Sequence, residues 1–386
     1  MPQKIKVLIA PNSFKGSMNA LVAADAIEKG LIRASENFEI IKTPIADGGD
    51  HFADIMTFAL QGKMKKVATE NALGEKIEAA YGVVEKNKTA IIEMAKASGL
   101  ALIEHKKLEP LKASSYGTGL LIKDAIESGY KNIVLGIGGS ATNDGGVGIA
   151  AALGVRFINQ QEESFVPAGG TLKKIVNIDV SEAIDFLEGI SIKIACDVEN
   201  PLLGEHGAAA VFAPQKGASA EEVKTIEENL QQLAQIIEKS NGKKIGNLKH
   251  GGAAGGIAAG LFGLLDAQLV NGTDLVMEEL SLLKKIQDCD VVITAEGKLD
   301  MQTLEGKGPY GIAIKAKETE KIVIGIGGSI PSTNTEKFKA FDAMFGLPDG
   351  PMTLEDAMQN GEQLLENLSC EIGKLMMAIL RHPFSR

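Results

Sequence analysis

IKVLIAPNSFKGSMNALVAADAIEKGLIRASENFEIIKTPI, residues Ile5 to Ile45, holds the pattern that decides the fold. The apolar run Ile5 to Ala10 suits a strand covered on both faces, the apolar positions from about Asn19 to Arg33 recur at helical spacing, and Glu39 to Ile45 returns to strand character. Strand, helix, strand is the grammar of a parallel α/β sheet, and a further helix is expected from near Asp50.

The grammar returns at the other end of the chain. Strands are expected over Asp290 to Thr294, Lys321 to Ile326 and Ala343 to Leu347, with a helix from about Pro309 and one amphipathic helix from about Leu354 to Leu380. Five short apolar strands separated by helices predict a flavodoxin-like, doubly wound parallel sheet that takes ligands at the carboxyl ends of its strands. Residues 1–62 and 286–386 are therefore assigned to one discontinuous domain, and residues 63–285 to a second α/β domain with a mixed sheet.

Within that second domain, Lys63 to Ala68, Lys76 to Glu85 and Thr89 to Met94 read as a meander, followed by a helix near Gly119 to Ser128, a strand leaving at Gly136 and another at Ile190 to Cys196. Ser219 to Ser240 is the clearest helix: Ser219 and Glu222 stand at capping-box spacing, and Val223, Ile226, Leu230, Leu233 and Ile237 share a face. VLGIGGSATN (Val134 to Asn143) is echoed by VIGIGGSIPST (Val323 to Thr333), each a strand running into a glycine turn.

Composition narrows the function classes. At 386 residues two domains are expected, and 44 glycines against 4% aromatics point to many close backbone approaches. A net charge of −10 with no basic stripe argues against nucleic acid as a partner, while leaving room for an acidic small substrate at a locally positive site. The longest nearly apolar stretch, Ala253 to Leu265, is shorter than the roughly 20 residues a bilayer span needs, so no membrane partner is expected. Cys196, Cys289 and Cys370 are too few and too widely spaced for a disulfide framework or a zinc site, and with no signal-peptide pattern the expected compartment is the cytoplasm. A second copy of the chain is a candidate partner only because homodimers are common.

The densest glycine segment, GIGGSATNDGGVG (Gly136 to Gly148), follows a strand and opens a helix, where free N–H groups favour an anion. Ser140, Thr142, Asn143 and Asp144 place hydroxyl, amide and carboxylate groups there. No G-x-x-x-x-G-K-[ST], H-R-D, D-F-G or G-x-S-x-G motif occurs, so P-loop, protein-kinase and α/β-hydrolase chemistry lose support. Carboxylates follow several strands: Asp47 in PIADGGD, Asp197 in IKIACDVENPL, and Glu296 and Asp300 in VVITAEGKLDMQT. In a parallel sheet such exits share one edge, although each acid singly also reads as a helix cap or turn former. Phosphoryl transfer asks for magnesium on one or two carboxylates, a cation on the phosphates and a carboxylate near the acceptor hydroxyl. Lys15 in PNSFKGS and Lys216 in PQKGA are the candidate cations. With only Arg33, Arg156, Arg381 and Arg386, none in these loops, a substrate carboxylate would be held by lysine, hydroxyl and backbone groups.

At these loops the sequence resembles the type-1 glycerate kinase family. The matching segments are PNSFKGSMNA (Pro11 to Ala20), PIADGGD (Pro44 to Asp50), SYGTGLLI (Ser115 to Ile122), GIGGSATNDGGVG, CDVENPLLGEHGAAAVFAPQKGA (Cys196 to Ala218), GGAAGGIAAGL (Gly251 to Leu261) and TAEGKLDMQTLEGKGPYG (Thr294 to Gly311). The resemblance implies an ATP- and Mg2+-dependent kinase of D-glycerate with its active site in a cleft between the two domains. It implies 2-phosphoglycerate as the product, with 3-phosphoglycerate as the alternative. The matched polar residues are Ser13, Lys15, Asp47, Ser140, Asn143, Asp144, Asp197, Lys216, Glu296, Asp300 and Gln302. Four departures stand out: Asn12 for aspartate, Asp50-His51-Phe52 for Glu-Gly-Thr, Leu120 for glutamate and Ala295 for glycine.

On this reading Asp197 accepts the substrate hydroxyl proton, Lys15 meets the transferring phosphoryl group, and Glu296 and Asp300 hold the metal. Ser13, Asp47, Ser140, Asn143 and Asp144 serve the acid, while Lys216, Gln302 and the glycines Gly251, Gly252, Gly255 and Gly256 serve the nucleotide. The rival readings are a kinase of another short hydroxy acid, for which Asp50 to Phe52 would be the lead explanation, and a non-catalytic metabolite sensor on the same scaffold.

Overall fold

The computed structural model describes residues 4–46, 51–104, 107–300, 308–331 and 335–382. Among these, fourteen strands follow one another along the chain. The first are β1 (Ile5–Ile9), β2 (Phe38–Lys42), β3 (Lys63–Glu70), β4 (Lys76–Val84), β5 (Thr89–Glu93) and β6 (Asn132–Gly136). Next come β7 (Arg156–Ile158), β8 (Ser164–Phe165), β9 (Asn177–Asp179), β10 (Ser191–Ala195) and β11 (Gln268–Val270). The last are β12 (Val291–Lys298), β13 (Ile322–Ser329) and β14 (Ala343–Gly346). The chain forms two compact units, Met1–Asp47 with Thr273–Arg386, and Gly48–Gly272. Between these limits and the expected domain limits at 62 and 286 lie helix Phe52–Ala59, which rests on β4 and β5, helix Gly272–Glu279, and the start of helix Leu282–Asp288, which rests on β1.

In the first unit a five-stranded sheet runs β14-β13-β12-β1-β2, every pairing parallel. Counted along the unit, that is the flavodoxin-like order 2-1-3-4-5, as the strand and helix pattern predicts. Val7, Ile9, Ile293 and Ala295 face a cluster containing Ile27, Leu31 and Leu365 of the covering helices, while Leu8 and Val292, which point the other way, are also fully buried. Both faces are therefore covered, the second by helices Leu282–Asp288 and Pro309–Glu318. Helix Ala20–Ala34 begins where the Asn19 side chain accepts from Val22 N at 2.9 Å, a cap worth about 1 kcal/mol. It crosses the C-terminal helix closely at Gly30, where a Cβ would lie 2.3 Å from the Glu366 carbonyl.

That C-terminal region is not the single helix expected from Leu354 to Leu380. It breaks at Asn360 into Leu354–Gln359 and Gly361–Arg381. At Gly361 a Cβ would sit 2.4 Å from Ser17 Oγ, so the break coincides with a close approach by the turn after β1.

In the second unit the six-stranded sheet runs β11-β10-β6-β5-β4-β3. Strands β11, β10, β6 and β5 are parallel, and β5, β4 and β3 form the expected antiparallel meander, so the sheet is mixed. A small antiparallel sheet, β8-β7-β9, was not expected, because strands of two or three residues carry too little alternation to be read. Helix Ala220–Asn241 has the predicted capping box, with Glu222 N donating to Ser219 Oγ and Ser219 N to Glu222 Oε2, and buries Ile226, Leu230, Leu233 and Ile237. Among the described residues no helix is long and apolar enough to cross a membrane.

Candidate active site

In the second unit, Gly136 at the end of β6 pairs with Glu93 of β5 and Ala195 of β10. The loops leaving these three parallel strands therefore start from one sheet edge. The loop after β6 is pinned on one side by Leu100 N donating to Gly139 O (2.8 Å) and Ala141 N to Ser98 O (3.0 Å). Its far end is organised by Asp144. Fully buried, that carboxylate accepts from Ser115 N and Ser115 Oγ at 2.8 Å each, from Gly146 N at 3.1 Å and from Gly148 N at 3.4 Å. Gly146 and Gly148 belong to the start of helix Val147–Ala152, so the anion at this helix N-terminus is the protein's own carboxylate. Burial pushes the Asp144 carboxyl upward, and the hydrogen bonds oppose that shift.

Lys216 lies inside the same structure. Only 2% exposed, its Nζ donates to the Thr142 carbonyl at 2.6 Å, and burial lowers its pKa to about 7 against the opposing attraction of Asp144. Asn143 is fully buried as well: its Nδ2 donates to Pro110 O at 3.3 Å, while its Oδ1 and the Thr142 hydroxyl have no hydrogen-bond partner among the described residues. Ser140 is buried and forms an isolated bridge with Gly99. Asp197, half-buried just beyond β10, accepts from Gly272 N at 3.0 Å.

The glycines at 251–256 pack against protein backbone. A Cβ on Gly255 would lie 2.1 Å from the Thr142 carbonyl, and one on Gly252 2.3 Å from the Pro201 carbonyl. Gly251 approaches Leu248 O, and Gly256 approaches Leu202 and Gly145. The loop that Lys216 and Asp144 hold accounts for the smallness of Gly255 and Gly256, while Leu248 and Pro201 close on Gly251 and Gly252.

The departure at His51-Phe52 also has a structural reading. Phe52 is fully buried, and a Cβ on Gly136 would lie 2.6 Å from its ring, so Phe52 packs under the strand exit; His51 is exposed in a left-handed conformation. Sequence reasoning missed Glu93 beside it. Only 4% exposed, Glu93 accepts from His51 N (3.2 Å) and Ala53 N (3.1 Å) at the start of helix Phe52–Ala59, and burial raises its pKa. The readable signal was an acid closing the otherwise apolar strand Thr89–Glu93; Ser115, likewise unassigned, gave only a helix-start pattern.

In the first unit the strand order reverses between β1 and β12, the switch point where open α/β sheets take ligands. Asn12 N donates to Ala295 O at 2.7 Å, tying the two exits together. The chain then folds into a tight turn, with Phe14 N donating to Met18 O (2.8 Å) and Gly16 left-handed, and Lys15 is exposed on it. Ser13 is half-buried and its N–H donates to Asn12 Oδ1. A Cβ on Gly297 would lie 3.2 Å from Lys15 N, so β12 runs directly beneath the turn. Glu296 lies on β12, and Asp300 follows it, 3.0 Å from Lys298 Nζ; both acids are half-buried. Among the described residues no three His, Cys, Asp or Glu side chains form a metal cluster. Two carboxylates are what a phosphate-bound Mg2+ takes from a protein, and oxygen donors suit it. Asp47 and Gln302 lie outside the described residues.

The first-unit candidates thus gather at a switch point, and the second-unit candidates around one loop and its neighbouring strand exit. Against known proteins, the sequence model of the glycerate kinase family matches residues 7–377. The chain is 45% identical over 367 residues to a glycerate kinase of Halalkalibacterium halodurans, covering 95% of this chain and 97% of that one. It is 41% identical to the glycerate 2-kinase of Escherichia coli, covering 92% and 93%. A solved structure of an inferred glycerate kinase 2 from Salmonella typhimurium LT2 superposes with a TM-score of 0.89 at 38% identity, covering 98% of this chain and 100% of that one.

Proposed function

The chain belongs to the glycerate kinase family, and from that premise we propose that it transfers the γ-phosphoryl group of ATP to the C2 hydroxyl of D-glycerate, yielding ADP and 2-phosphoglycerate. The observation that carries this reading is the family match along residues 7–377. The E. coli relative, named a glycerate 2-kinase, supports the choice of hydroxyl.

Asp197 receives the hydroxyl proton as the glycerate oxygen bonds to phosphorus and the bond to ADP breaks. Its hydrogen bond from Gly272 N fixes one carboxylate oxygen and thereby the direction of the other. Lys15, carried on a tight turn, places a cation on the phosphoryl oxygens, and Ser13 supports the same turn. Glu296 and Asp300 would hold Mg2+, which when bound neutralises phosphate charge. Ser140 and Asn143 meet the acid, with Asn143 Oδ1 the acceptor still to be matched. Asp144 and Lys216 set the shape of that loop from inside it.

The test is the purified chain with ATP, Mg2+ and D-glycerate, ADP release being followed and the product identified by phosphorus NMR. The expected result is glycerate-dependent ADP and a phosphorus resonance coupled to the C2 proton. Resonance coupling to the C3 protons overturns the choice of hydroxyl, and turnover only with L-glycerate, glycolate or tartronate overturns the choice of acceptor.

A further inference from the structure

We propose that the adenine ring of the nucleotide binds in the first unit, in the cavity enclosed by the turn after β1, the ends of β12 and β13, the segment after β14 and helix Leu354–Gln359. The proposal rests on ATP being the phosphoryl donor and adds where its base sits.

The cavity measures ≈ 250 Å³ and opens on the carboxyl edge of the five-stranded sheet, alongside the switch point. Its walls include Phe14, Leu347, Leu354 and Met358, and Lys15 is the one charged residue lining it among the described residues. An apolar enclosure with a cation at one side matches a nucleotide, whose base is flat and uncharged and whose other end is a polyanion. Glycerate, small and charged, has no use for such walls.

Part of the lining is bare backbone. A Cβ on Gly328 would lie 2.5 Å from the Gly297 carbonyl, so β12 and β13 meet there without side chains between them. The helix wall is fixed to the turn by Ser17 Oγ donating to Met358 O at 2.6 Å, so the cavity and Lys15 are held by one framework.

Leu354 supplies an independent observation. It is 77% exposed, the largest exposure of any large apolar side chain among the described residues, and it lines this cavity. Leucine at that exposure contributes little to the core, and a heterocycle lying against it would remove its surface from water. Of the other candidates for nucleotide contact, the glycines at 251–256 are closed by neighbours within their own unit and Lys216 is buried on the Thr142 carbonyl.

The experiment is calorimetric titration of the full chain with ADP, and with tripolyphosphate as a probe that lacks a base. Leu354→Asp places a charge at the exposed wall, and Ala357→Phe fills the space from the same helix. Both are expected to weaken ADP binding tenfold or more while tripolyphosphate binding stays within twofold of wild type. Undiminished ADP affinity in Leu354→Asp, with its melting temperature unchanged, overturns the proposal, as does a parallel loss of tripolyphosphate. If Ala357→Phe fails to fold, Leu354→Asp decides alone. A wild-type chain that phosphorylates glycerate from ATP while both variants bind ADP normally leaves the kinase reading standing and removes the base site; a wild-type chain that neither binds ADP nor turns over removes both.

Discussion

Lys216 Nζ donates to the Thr142 carbonyl at 2.6 Å, closing a bridge between segments 74 residues apart in the chain. The lysine is buried with a pKa near 7, whereas in the unfolded chain it titrates near 10.5. Between those values the unfolded state binds more protons, so stability rises with pH from about 7 to about 10, by at most about 1.4 kcal/mol per pH unit from this residue. Denaturant midpoints measured across that range should climb for wild type more steeply than for Lys216→Met; equal slopes would refute the assignment. At pH 7 the variant also leaves the Thr142 carbonyl without its donor, a loss of about 1–3 kcal/mol.

Asp197→Asn keeps the shape of the side chain and removes the proton acceptor. Turnover should fall by about 10²–10⁴ with the melting temperature nearly unchanged, since the oxygen facing Gly272 N remains an acceptor. Single-turnover kinetics separates this from a loss of binding. A near-normal phosphoryl-transfer rate rejects Asp197 as the base.

Two left-handed glycines give a controlled comparison. Gly242 ends helix Ala220–Asn241 with nothing within 4 Å of a Cβ, so Gly242→Ala costs only backbone strain, about 1 kcal/mol. Gly255→Ala adds a collision at 2.1 Å with the Thr142 carbonyl and should cost about 3 kcal/mol or more, together with activity, because the loop must shift. Equal melting temperatures for the two variants would show that the Gly255 contact relaxes freely.

Chelation of magnesium should abolish turnover and restoration of the ion should recover it. Asp300→Asn should raise the Mg2+ concentration needed for half-maximal rate about tenfold while the fold, read by circular dichroism, persists. An unaltered Mg2+ dependence in both Asp300→Asn and Glu296→Gln assigns the metal elsewhere.

The order of strands and helices was legible because periods of 2 and 3.6 are local properties, and Asn19 and Ser219 announce their helices within four residues. What sequence could not separate was a side chain awaiting a ligand from one already satisfied at a distance. Asp144 reads as a loop carboxylate until Ser115, 29 residues earlier, is seen to fold onto it, and Lys216 reads as a cation for a phosphate until Thr142 is placed. Glycine is ambiguous in the same way: Gly255 admits another backbone, and nothing in its neighbours along the chain tells that from admitting a phosphate. The helix break at Asn360 coincides with a close approach by Ser17, far away in the chain.

The interior place of β1 in its sheet, between β12 and β2, has a consequence for biosynthesis. Its partner β12 follows only after the second unit has been made, and the bond from Lys6 N to Asp290 spans 284 residues. At about 5–20 residues per second a ribosome needs about 15–60 s to cover that distance. For that time the N-terminal strand, helix and strand lack the neighbour that completes them, with the apolar edge of Ile5–Ile9 open to any other strand. The nascent chain is thus most exposed to misassociation while the second unit, contiguous in sequence, is free to fold first, and a chaperone that recognises extended apolar segments would find its target at the N-terminus.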